Sequence, residues 1–203
     1  DCFGFQAHFP SVLNHCGLKG FSTQKLSWGS AAGIPFNLGN WVGPDGNSLI
    51  SALNATSYTG HIQPRLDTSS YWTGRVMENG ENYGIYADFR YYGVGDVGGA
   101  PREEDVKNAV ESLYHDDSRI TVYLCSSDQL FRDITPEQAK RLPVYQGDLL
   151  LTEHSAGSIT SQAYMKRWNR KNELLAQAAE PLAVMADYLG AIPYPKERLN
   201  EAW

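Results

Sequence analysis

Residues 160–189 constrain this chain more than any other stretch. The pattern there is helical, and Trp168, Leu175, Leu182 and Leu189 fall seven apart, with Ala178 and Met185 at intermediate positions. That spacing makes a seam for packing against other helices. A helix of roughly 30 residues runs about 45 Å and is not stable alone. Partner helices are therefore required, and this chain offers little to supply them. Pro181 lies inside the pattern and is expected to kink it, and Ile192-Pro193-Tyr194-Pro195 ends it. The expectation is that residues 159–203 begin an α-helical bundle.

Residues 1–158 read differently. Residues 9–16 suit a short helix, with Pro10 in the first turn and Gly17 at the stop. Residues 20–23 then read as a strand, giving the helix-glycine-strand rhythm of a βα repeat. Residues 34–43 alternate apolar and polar like a half-buried strand. Pro44-Asp45-Gly46-Asn47 is a turn, and residues 48–53 are the returning strand. Residues 60–82 are expected to be a long loop, and 83–89 a strand. A glycine-rich loop follows at 93–101. Residues 102–114 form an amphipathic helix with Val106, Val110 and Leu113 on one face and three acidic residues in its first turn. Residues 120–124 are expected to be a strand, and 126–132 and 136–141 short helices. The class is α/β.

With 203 residues and 42% hydrophobic content, the chain can bury one substantial core. A net charge of −6 and the lack of a basic run argue against nucleic acid as a partner. No apolar run approaches the roughly 20 residues of a membrane span. Cys2, Cys16 and Cys125 form no pair at metal-knuckle spacing, and they imply no disulfide framework. The 19 glycines and 12 tyrosines suit a sugar-binding cleft and suit many other globular proteins equally. The compartment stays undetermined, leaning to a periplasmic or secreted setting, and a homo-oligomer is left open.

The chemistry-bearing motifs begin at the first residue. Asp1-Cys2-Phe3-Gly4-Phe5 opens on a carboxylate followed by an aromatic-glycine turn, with no initiating methionine. It reads as the end of a strand in a domain entered partway, or as an ordinary loop aspartate. The run resembles the Asp-x-Phe-Gly-Tyr/His motif of glycoside hydrolase family 38 α-mannosidases. Gly17-Leu18-Lys19-Gly20-Phe21-Ser22-Thr23-Gln24-Lys25-Leu26 is similar to a second family block, and Trp41-Val42-Gly43-Pro44-Asp45-Gly46-Asn47 to its Trp-x-Gly-x-Asp-Gly-Ser turn. Gly93-Val94-Gly95-Asp96-Val97-Gly98-Gly99-Ala100-Pro101 resembles the family's Gly-Asp-glycine loop. Thr160-Ser161-Gln162, with Lys166-Arg167-Trp168-Asn169-Arg170 and Glu173, resembles the opening of its helical domain. The blocks run in family order across nearly the whole chain.

The resemblance implies a partial (β/α) barrel-like catalytic domain over residues 1–158, then the start of a three-helix bundle. It implies a zinc-dependent retaining hydrolase acting on mannose-containing glycans. Asp1 takes the position of the nucleophile and of one zinc ligand, the other ligands being expected outside this chain. The acid/base is Asp96, with Asp88 in Asp88-Phe89-Arg90-Tyr91 as runner-up. His154, in Glu153-His154-Ser155-Ala156-Gly157, is expected to face substrate, and Trp41 and Asp45 to bind it. Val97, Ala100 and Arg102 depart from the family pattern. By itself the chain is expected to be inactive.

Plainer readings stand beside these. Asp96 is a turn-former in a glycine loop if the resemblance is set aside. His154 has no second histidine at ligand spacing and reads as a substrate contact or a core histidine. His8 and His15 read as helix-face residues, and His115-Asp116-Asp117 as a solvated cap and turn. Trp41, Tyr71, Trp72 and Tyr91 either stack on sugar faces or belong to the core. Glu153 lines the cleft or is an exposed strand residue. Two other functions compete: a non-catalytic carbohydrate-binding relative of the same fold, and a polysaccharide deacetylase-like domain. The latter has no evident place for the helix start at 160–170.

Overall fold

The computed structural model describes residues 3–53, 60–96, 98–153, 156–157 and 161–203. The chain separates into two compact units, Asp1–Ala156 and Gly157–Trp203.

The first unit is mixed α/β. Strand β1 (Gly4–Phe5) leads into helix α1 (Phe9–His15), which has Pro10 in its first turn. Gly17, at φ +82°, ends α1, and the Leu18 amide reaches back to the Leu13 carbonyl at 3.0 Å, closing the helix end. Strand β2 (Gly20–Thr23) follows, then a 3₁₀ turn (Lys25–Trp28), β3 (Leu38–Val42) and β4 (Ser48–Leu53). The sheet order is β2-β4-β3-β5, where β5 is Val144–Gln146. β2 and β4 run parallel, β3 is antiparallel to β4, and β5 is parallel to β3. A second, two-stranded sheet pairs β1 with β6 (Leu149–Leu150).

Side chains alternate across a strand with period two, and the core obeys this. Trp41 of β3 and Leu53 of β4 point to one cluster, with Leu26, Phe36, Leu149 and Leu151. Leu38 and Ala52, of opposite parity on the same strands, point to the other, with Ile85, Leu130, Ile134 and Leu142. Phe5, Phe9 and Phe21 extend the first cluster by ring contacts of 5.0–6.2 Å.

Four expectations are corrected. Residues 60–82 are not one loop: helix α2 spans Ser70–Tyr83. Ser69 caps it by accepting the Trp72 amide at 3.5 Å, and Gly84 ends it in the left-handed region. Two glycines and a buried Asn79 blur its apolar stripe, and Gly80 is required because a Cβ there would meet the Tyr86 ring at 2.1 Å. Residues 83–89 are not a strand, since their carbonyls are used elsewhere: Ala87 accepts from Asn79 and Gly84 from Gln138, each at 2.9 Å. Residues 120–124 form no strand either, and the Ile120 amide is bound to the Asp67 carbonyl at 3.2 Å.

The fourth correction concerns helix α3 (Glu103–Glu111). Its buried side carries Asp105 and Ala109 and continues to Ser112, while Val106 and Val110 are exposed. The neighbour is the backbone of residues 62–66, whose polar groups need partners. Asp105 accepts the Ile62 amide at 2.7 Å, Asn108 donates to the Ile62 carbonyl at 2.8 Å, and Ser112 accepts the Leu66 amide at 2.9 Å. Short helices α4 (Gln129–Asp133) and α5 (Pro136–Ala139) follow, and a Thr135–Gln138 capping box starts α5. The strand expected at 34–43 is shorter, as β3.

In the second unit, α6 (Ala163–Tyr188) holds 26 residues, about 39 Å at 1.5 Å each, and α7 (Lys196–Ala202) follows. The two are tied by the Trp203 indole N–H donating to Glu180 at 3.0 Å. No residue of α6 is buried, and the expected seam is open, with Leu175 63% and Leu182 62% exposed.

Candidate functional site

Ser22, Thr23 and Lys25 lie at the carboxyl end of β2, the edge at which open α/β sheets place their ligand clefts. Ser22, on β2, bonds the Tyr91 hydroxyl at 2.8 Å. Thr23 ends the strand, and its hydroxyl accepts the Lys25 amide at 3.2 Å, turning the chain into the 3₁₀ segment. Lys25 is only 4% exposed. Its ammonium lies 4.2 Å from the Trp28 ring centroid and 5.1 Å from that of Phe3, and the two rings are 6.2 Å apart. Aromatic faces thus hold a buried cation beside the segment that begins the chain.

The other flank of this turn is the segment after β6. The Thr152 amide donates to the Gly29 carbonyl at 3.0 Å, and the Ala31 amide to the Leu150 carbonyl at 3.2 Å. A Cβ on Gly29, at φ +99°, would lie 3.3 Å from the Glu153 side chain. Glu153 is exposed in a bend rather than a strand. The Ser30 hydroxyl is buried with no hydrogen-bond partner among the described residues.

Helix α2 supplies Arg75. Its Nε donates to Asp88, and its Nη1 donates to Asn37 Oδ1 at 3.1 Å. Asn37 marks the end of β4, since its carbonyl accepts the Leu53 amide at 2.8 Å. Asp88 also accepts the Phe89 amide at 2.8 Å. Burial pushes the Asp88 carboxyl above its ordinary range, although Arg75 beside it pulls the other way. Asp88 is therefore an enclosed, ion-paired carboxylate.

Asp96 is exposed and adopts the left-handed region at φ +61°, a conformation that short polar residues such as aspartate tolerate best. Asp1 and His154 lie outside the described residues. Phe3 and Glu153, their near neighbours in sequence, flank the two sides of the Lys25–Trp28 turn.

Two further candidates, Trp41 and the exposed Asp45, have other engagements in the fold. Trp41 is 0% exposed and donates its indole N–H to the Gly147 carbonyl at 2.9 Å, so it packs the core and presents no face to a sugar. Asp45 organises the β3–β4 turn. It accepts from Ser11 at 2.5 Å, from the Asn47 amide at 3.1 Å and from Asn47 Nδ2 at 2.8 Å, and these bonds hold its carboxyl below the usual range. Trp72 is likewise buried, while Tyr71 is exposed. Asp117 is more than a solvated turn residue, for it pairs with Arg65 at 2.6 Å. Lys25 lies in the Gly17–Leu26 block without standing out as a site candidate, and Arg75 belongs to none of the motifs; the fold brings out both.

Among the described residues no three His, Cys, Asp or Glu side chains converge as metal ligands. The described donor set alone does not fit a zinc ion. Nor, among these residues, is any helix long and apolar enough to cross a membrane.

Residues 1–148 match the model of the glycosyl hydrolases family 38 N-terminal domain. Over its whole length the chain is 29% identical to alpha-mannosidase of Saccharomyces cerevisiae, 30% to alpha-mannosidase 2C1 of Homo sapiens and 31% to alpha-mannosidase G of Dictyostelium discoideum. It spans only 18–19% of the length of these curated relatives. A family-model match over most of the chain, in a mixed α/β unit, places this chain in glycosyl hydrolase family 38.

Proposed function

We propose that the protein containing this chain is a retaining α-mannosidase that hydrolyses terminal α-linked mannose from glycans. One observation supports the site assignment beyond the family match. Phe3, two residues after Asp1, and Tyr91, five residues before Asp96, are both anchored on residues 22–28. Segments neighbouring both candidate carboxylates in sequence are thus tied to one stretch of the chain.

In this reading Asp1 is ionised and attacks the anomeric carbon. Asp96 is protonated and gives its proton to the departing oxygen as the glycosidic bond breaks. Asp96 then takes a proton from the water that releases mannose from Asp1. Retention requires the two carboxyl groups about 5–5.5 Å apart. His154 and Glu153 would contact sugar hydroxyls. Zinc, which the family resemblance implies, would take Asp1 as one ligand and the rest from outside this chain.

The test is hydrolysis of an aryl α-mannoside by the full-length protein, with the anomer of the released sugar followed by NMR and bound metal measured in parallel. Release of α-mannose first is expected. Sugar binding without hydrolysis would favour the non-catalytic relative, and release of β-mannose would exclude a nucleophilic role for Asp1.

A further inference from the structure

A second hollow lies at the other end of the sheet. It takes in Lys19, just before β2, and Ser48, the first residue of β4. β2 and β4 run parallel, so this is the amino end of both, about 16 Å from their carboxyl end along β4 from Ser48 to Leu53. The hollow holds about 330 Å³, the size of a small-ligand site. Three contacts between distant elements fix its walls. Asn14 of α1 donates a side-chain N–H to the Ser48 carbonyl at 3.2 Å, joining α1 to β4. Asn40 of β3 donates to the Ala139 carbonyl at 2.7 Å, joining the sheet to α5. The Phe131 ring of α4 covers Gly20, where a Cβ would stand 2.4 Å from the ring, so glycine alone leaves room for it. The fold therefore builds the hollow before any ligand arrives.

The chemistry of the lining selects a ligand class. Leu49, Ile50 and Ile134 supply apolar surface. Each carboxamide spends one N–H on a carbonyl, which fixes its orientation and leaves its oxygen and second N–H for a ligand. Ser48 adds an exposed hydroxyl and Lys19 an exposed ammonium that forms no ion pair among the described residues. Paired donors and acceptors beside a half-buried aromatic ring suit a polyol ring, whose hydroxyls both give and accept hydrogen bonds while a C–H face lies on Phe131. A phosphate or carboxylate is a poorer match, because it cannot donate to the amide oxygens. We propose that this hollow is a second carbohydrate-binding site, taking a hexose ring of a glycan away from the place where the bond is cut. The choice of a sugar rests on the reading of the protein as glycan-processing, whereas the hollow itself does not.

The experiment photolyses a diazirine-bearing α-mannoside on the full-length protein and maps the label by mass spectrometry, with excess methyl α-mannoside as competitor. Label is expected on peptides containing Lys19, Ser48 or Phe131, and the competitor should remove it. Ser48→Tyr fills the hollow and should lose that label altogether. Lys19→Ala changes only an exposed side chain, and should need about 3–10-fold more probe for half-maximal label, the equivalent of one hydrogen bond. No label in the hollow, label that the competitor leaves in place, or label unmoved by both variants would overturn the inference. Hydrolysis of an aryl α-mannoside by the same preparation separates the two claims. Hydrolysis without label in the hollow sinks the inference alone. Competed label in the hollow without hydrolysis upholds the inference and sinks the catalytic reading.

Discussion

Asp67→Asn tests how the loop before α2 is held to the segment after α3. The Asp67 carboxylate has no exposed surface. It accepts from Arg65 Nε at 2.9 Å, Arg65 Nη2 at 2.9 Å and the Ser118 hydroxyl at 2.7 Å. The Arg65 guanidinium beside it is the main cause that holds its carboxyl down at about 2, against an ordinary 3.8. At about 1.36 kcal/mol per pKa unit, that difference corresponds to about 2.4 kcal/mol. Arg65 is 30% exposed, so solvent screens part of the pair, and about 1–2 kcal/mol is the working figure. The sign follows from the direction. A depressed carboxyl stabilises the fold above pH 3.8, and the stabilisation is lost as pH falls towards about 2. The first assay is hydrogen exchange at neutral pH on the Arg119 and Ile120 amides, which donate to the Asp67 carbonyl at 3.0 and 3.2 Å. Protection should fall roughly 5–30-fold in Asp67→Asn, the equivalent of 1–2 kcal/mol. The second is urea unfolding of both proteins from pH 6 to pH 2, where the gap between them should close as pH falls. Unchanged protection at neutral pH, or a gap that persists at pH 2, would refute the charge-based account.

Two further substitutions address the fold around the site. Trp41→Ala should cost about 3–5 kcal/mol of unfolding free energy, as removal of a fully buried aromatic does. Trp41→Phe should cost less and leave sugar affinity unchanged, and a selective loss of affinity would restore Trp41 as a sugar contact. Gly43→Ala places a Cβ 2.1 Å from the Ser11 hydroxyl and 2.9 Å from its amide nitrogen. It should lower stability by about 1–3 kcal/mol, measured by thermal unfolding, and a neutral result would mean that α1 moves away freely.

The parts of the fold governed by local rules were legible in the sequence. Pro10 and Gly17 bracket α1, and Pro44-Asp45-Gly46-Asn47 turns β3 into β4, because those residue types fix backbone angles wherever they stand. The misses were made by side chains that serve backbone or rings outside their own element. The inward face of α3 is polar because it serves the backbone of residues 62–66, so Val106 and Val110 misled. Helix α2 buries Asn79 and Gly80 against residues 86–87, which conceals its apolar stripe, although Ser69 and Gly84 were readable as its ends. Among the candidate site residues, the motif around Trp41 and Asp45 does not tell in sequence that Trp41 is fully buried or that Asp45 also ties the β3–β4 turn. Lys25 and Arg75 gain meaning only once β2 and β4 lie side by side and bring residues 22–37 against residues 75–91.

The most direct measurement is covalent trapping. The full-length protein is incubated with a 5-fluoro-mannosyl fluoride, whose electron-withdrawing fluorine slows release of the glycosyl-enzyme more than its formation, and the digested protein is mapped by mass spectrometry. The account predicts one sugar on Asp1, with Asp96 unlabelled. A sugar on any other carboxylate, or an enzyme that hydrolyses α-mannosides and never carries a label, would contradict it.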